Sequence, residues 1–129
     1  MDQWDVIGHK VQQLEGQLYQ LEEDYRRDRG SIEEEMAVYQ DRYRWFQTLV
    51  ETKYDAALGD FRQREVSDYH ELTAMADAYL LDGDQQLQAV LQDCEERLDQ
   101  LEASYRKAYD SAEDQLQAAY AQRRQLDIE

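Results

Sequence analysis

From Leu87 onward, Leu87, Leu91, Cys94, Leu98, Leu101, Tyr105, Ala108 and Ala112 recur at spacings 4-3-4-3-4-3-4. A stripe that alternates four and three places one narrow apolar seam along an α-helix, and such a seam is stable only against another helix. The same rhythm occupies the first part of the chain, where Ile7, Val11, Leu14, Leu18, Leu21 and Tyr25 follow at 4-3-4-3-4. A third stripe of Ile32, Met36, Tyr39, Tyr43, Phe46, Val50 and Ala57 fills the middle, with Lys53 as its one fault. Proline is absent from all 129 residues, so no side chain forbids helix anywhere. The fold class is therefore all-α, with a single helical domain spanning 1–129.

Where the helices end is a separate question. Leu81-Asp82-Gly83-Asp84 carries the best turn signal, since glycine accepts positive φ and Asp84 can cap a following helix. This predicts an elongated antiparallel helical hairpin, or coiled coil, turning at Leu81–Asp84, with arms of about 3–28, 32–80 and 85–127. Folding about Gly83 would set the small residues Ala108 to Ala121 opposite Tyr43 to Leu58. At Gly30 two signals conflict. Ser31 and Glu34 form a capping box, yet Tyr25 to Ile32 is seven residues and the heptad passes through undisturbed. Asp28 and Arg29 leave the intervening seam positions without an apolar residue, which tips the reading towards a break and an N-terminal helix folded back as a third helix. Near Gly59 the pattern deteriorates into a polar run from Arg62 to Glu71, and a kink with a weakly packed segment is expected there.

Charge narrows the function. With 14 basic and 30 acidic residues the net charge is −16, which repels nucleic acids and anionic membrane surfaces. No apolar run approaches the roughly 20 residues of a membrane span, so no membrane insertion is expected. The first residues lack the basic and apolar regions of a signal peptide. A chain made in the cytoplasm is expected, any export needing a route other than a cleaved signal. Chemistry is hard to find. His9 and His70 lack the Glu-x-x-His spacing of a di-iron bundle, and with Cys94 they are too scattered for zinc. The glycines lie singly, so there is no phosphate loop, and no cofactor or catalytic residue is assigned.

What remains is surface. Val38, Trp45, Leu49 and Ala56 form a second stripe beside Tyr39, Tyr43 and Phe46, a face wider than one seam can cover, so that either the first arm folds back over it, burying Trp45, or another protein covers it. Leu98 and Leu101, set against the polar run in a hairpin about Gly83, are also short of neighbours. These eight side chains, Ala56 aside, are the candidate partner-binding residues, and Trp45 is of the type enriched in interface hot spots.

An acidic chain of heptad arms with Tyr39-Gln40-Asp41-Arg42-Tyr43-Arg44-Trp45-Phe46 in its middle resembles the helical accessory proteins of Gram-positive type VII secretion encoded beside LXG-domain toxins, relatives in style of the WXG proteins. The resemblance implies a partner in the helical N-terminal domain of an LXG-type toxin, a second small helical accessory protein in the same complex, and a targeting or chaperone-like role. The chain departs from the WXG pattern in having no Trp-x-Gly at its turn signal. The Tyr-x-x-x-Asp/Glu export pattern of that wider group is matched by Tyr19 with Glu23 and by Tyr109 with Glu113, although this composition supplies about two matches by chance. Of the two, Tyr109 and Glu113, near the C-terminus, are the candidate export motif. The competing class is a structural coiled coil, either a homo-oligomer joined through the same stripes or an adaptor protein.

Overall fold

The computed structural model describes residues 2–128. Among them the chain forms two helices, α1 (Gln3–Gln63) and α2 (His70–Ile128), packed against each other as an all-α helical hairpin. Asp2 opens α1: its Oδ1 accepts the backbone N–H of Asp5 at 2.9 Å, satisfying one of the donors a helix start leaves without a partner. On the exposed faces, pairs such as Arg26–Glu22 and Arg106–Glu102 stand one turn apart and each adds a few tenths of a kcal/mol.

The turn lies at 64–69, not at Leu81–Asp84. Glu65 has φ 61°, the one positive value among the described non-glycine residues. Its N–H donates to the Arg62 carbonyl at 3.1 Å, and the N–H of Val66 reaches back to the Phe61 carbonyl at 2.9 Å. That pair of bonds is the Schellman closure, here with glutamate where glycine is usual. The return helix is capped by Asp68, whose Oδ1 accepts the N–H of His70 at 3.0 Å. Phe61 and Tyr69 stack across the reversal with centroids 6.2 Å apart.

Three expectations are corrected by this. Gly83 lies inside α2, and no described glycine has positive φ. A Cβ at Gly83 would meet Phe46 Cε1 at 2.8 Å, so the position is small because a ring from α1 occupies the space. Gly30 lies inside α1, so the capping box at Ser31 caps nothing and the first arm is not a third helix. The undisturbed heptad was the truer signal there. Gly59 is also helical, and the polar run beyond it holds the reversal itself.

The chain divides into two compact units. The terminal unit comprises Met1–Ser31 and Arg97–Glu129, and the central unit Ile32–Glu96. In the terminal unit Val11 and Leu14 pack on Leu116 and Ala119, with Ile7, Leu18 and Tyr120 around them. Ala119 therefore packs on Val11 and Leu14 rather than on Tyr43 to Leu58, and Ala118 and Ala121 are exposed. Tyr25 and Tyr105 stack 4.4 Å apart at 14°, and the hydroxyl of Tyr120 donates to Glu15 Oε1 at 2.7 Å. Burial, then the Glu22 carboxylate, raises the Tyr105 phenol above its ordinary pKa. In the central unit Ile32 and Cys94 are buried, the free thiol acting as a small apolar side chain on its seam.

Candidate partner-binding face

Two helices can cover only one stripe of each other, and the central unit has apolar residues to spare. On α1, Tyr39, Tyr43, Phe46 and Val50 face α2 and are half-buried. The Tyr43 hydroxyl donates to the Leu80 carbonyl at 3.4 Å, fixing this register, and its ring lies 6.5 Å from that of Phe46. Tyr39 points its hydroxyl at Glu35 Oε1, 3.2 Å away, which raises the phenol above its ordinary pKa; Arg42 lies over the same ring at 6.0 Å.

Beside this seam the second stripe is open to solvent. Val38 is 47% exposed, Trp45 68% and Leu49 36%. From α2, Met75 and Tyr79 are exposed by 55% and 56%. Leu49, Met75 and Tyr79 line one groove of about 470 Å³, floored by Phe46, Val50, Ala57, Leu72 and Ala76. A second groove of about 470 Å³ shares Phe46 and Tyr79 with the first and continues past Tyr43 and Gly83 to Leu87 and Val90. The glycine that admits the Phe46 ring thus also shapes the floor of this face. Val38 and Trp45 precede Leu49 on α1 by eleven and four residues, which puts them along its outer rim.

The other candidate residues lie in the terminal unit. Leu98 and Leu101 are half-buried on the α2 seam that continues through Tyr105 and Ala108. The polar run expected opposite them is the turn of the central unit, so the reason given for their exposure does not apply. Tyr109 is half-buried with its ring 5.7 Å from Tyr105, whereas Glu113 is exposed. Met75 and Tyr79 were missed as surface residues. They fall within the apolar cluster from Leu72 to Leu80, which reads as a single stripe when taken alone.

Among the described residues no polar or charged side chain is buried, and no group of three metal-ligating side chains converges. No helix among them is long and apolar enough to cross a membrane. The chemistry available to the central face is apolar contact with a charged margin. Comparison with family models, with curated proteins and with solved structures gives no match.

Proposed function

We propose that this chain is a non-catalytic helical partner protein whose central unit receives a helix of another protein. The observation that carries the reading is the exposure of Val38, Trp45, Leu49, Met75 and Tyr79 beside two largely apolar grooves that share Phe46 and Tyr79. Large apolar side chains gathered on one face are costly to leave in water and mark interaction surfaces. A groove between two helices suits an amphipathic helix, which inserts residues spaced three and four apart. The resemblance in sequence supplies the partner's class: the helical N-terminal domain of an LXG-type toxin, carried towards type VII secretion together with a second small helical protein.

Co-expression with such a toxin domain, followed by co-purification, tests this. Trp45→Ala is expected to weaken the complex by about 2 kcal/mol or more. The free variant should keep its melting curve, because Trp45 is mostly solvated. Recovery of each protein alone, or a homodimer formed through Leu49 and Tyr79, would overturn the reading.

A further inference from the structure

The two sides of the grooves on the central face are oppositely charged, and this specifies what can lie in them. Along α2, Glu71, Asp82 and Asp93 are all exposed and are spaced by eleven residues. Eleven residues are three helical turns, so the three carboxylates form a row about 16 Å apart down one edge. Asp82 lines the second groove directly. No lysine or arginine occurs between Arg64 and Arg97, so nothing on this length of α2 offsets the row. Along α1, Arg42 and Lys53, again eleven residues apart, stand between the apolar floor and the outer Val38–Trp45 rim, and each lines one of the two grooves.

We infer that the occupant of this face is a charge-polarised amphipathic helix, with lysine or arginine along the flank over α2 and acidic residues along the flank over α1. The inference rests on the proposal that the face receives a helix and adds which helix. At physiological salt, screening acts over about 8 Å, so each carboxylate of the row selects the charge lying next to it rather than a distant one. Complementary margins of this kind set partner choice and register, while the apolar floor supplies contact area. A second copy of the chain fits less well. It brings a further −16, and within the central unit alone five basic residues stand against sixteen acidic ones, a net −11.

The test uses the full chain and two designed helical peptides with the same leucine seam. One carries lysine on one flank and glutamate on the other; its comparator carries glutamate on both. Fluorescence anisotropy should show the polarised peptide binding at least about ten-fold more tightly, with the difference shrinking as salt is raised. Asp82→Lys should weaken the polarised peptide and strengthen the comparator. Equal affinities, or no change of preference in Asp82→Lys, would overturn the inference while leaving the helix-binding proposal standing. If neither peptide binds, or if Leu49→Ser and Tyr79→Ser variants that retain their helicity bind as before, both fall.

Discussion

Gly83 and Phe46 occupy one space: the ring of Phe46 stands where a side chain at 83 would begin, with Cε1 2.8 Å and Cδ1 3.2 Å from the site of a Cβ. Tyr43 closes the other side at 3.3 Å. An alanine here would gain about 1 kcal/mol of helix propensity but would have to displace two rings that hold α1 to α2. Gly30 offers the contrast, since a Cβ there meets nothing within 4 Å. Gly83→Ala is expected to lower the melting temperature, and Gly30→Ala to stabilise by about 1 kcal/mol. Thermal denaturation followed by circular dichroism separates them. A rise in both would mean that Phe46 can leave the notch without loss.

The Schellman closure predicts a second gain. Glu65 holds φ 61°, a conformation in which its Cβ crowds the backbone and glycine does not. Glu65→Gly should therefore stabilise by about 1 kcal/mol despite the greater freedom it gives the unfolded chain. Urea denaturation measures this, with an unchanged slope showing that the fold is the same. A loss would mean that the Glu65 side chain contributes more than its strained backbone costs.

Burial ranks the apolar residues differently from size. Leu116 is 6% exposed beside Val11 and Leu14, so Leu116→Ala should cost about 2–3 kcal/mol, near the low end for leucine because a two-helix layer relaxes easily. Trp45→Ala, at 68% exposed, should change stability by no more than about 0.5 kcal/mol. Equal losses in urea titrations would show that Trp45 is part of the folded core.

Alkali should act at Tyr120. Its phenol is raised above its ordinary value near 10, first by donating to Glu15, then by burial and the nearby carboxylate charge. A raised phenol keeps its proton in the folded state after the unfolded chain has lost it. Its stabilisation is complete below pH 10 and fades as pH rises through the folded value. Melting temperatures of wild type and Tyr120→Phe should differ by a constant amount below that point and converge above it. A gap that widens in alkali would exclude the hydrogen bond as its source.

Which residues face a partner helix was legible in the sequence; where the chain turns was not. Ile7 to Tyr25, Ile32 to Val50 and Leu87 to Ala112 all lie on seams as their spacing implies. Heptads are degenerate in register, however. Moving the pivot from Gly83 to Glu65 slides α1 past α2 by about five heptads, and every stripe still faces a stripe. Local chemistry then had to decide, and it pointed the wrong way. Asp82-Gly83 has the composition of a turn but serves a ring, while the true reversal uses glutamate in a glycine's place and Asp68 as its cap. The surplus of Val38, Trp45 and Leu49 was visible because it depends on spacing within one helix. Its α2 half, Met75 and Tyr79, depends on register and was hidden with it.

The position of the Glu65 turn also sets an order of assembly. Tyr54 and Thr73, bonded at 3.2 Å, are 19 residues apart in sequence, Tyr43 and Leu80 are 37, and Glu15 and Tyr120 are 105. Each contact formed from the turn outward shortens the loop that the next must close, whereas beginning at Glu15 and Tyr120 would forfeit the whole loop entropy at once. Zipping outward from the turn would leave the buried cluster around Val11 and Leu116 to close last. Stopped-flow measurements of Leu116→Ala should accordingly find faster unfolding with a nearly unchanged folding rate, so that this end acts as the latch on the native state rather than as its nucleus.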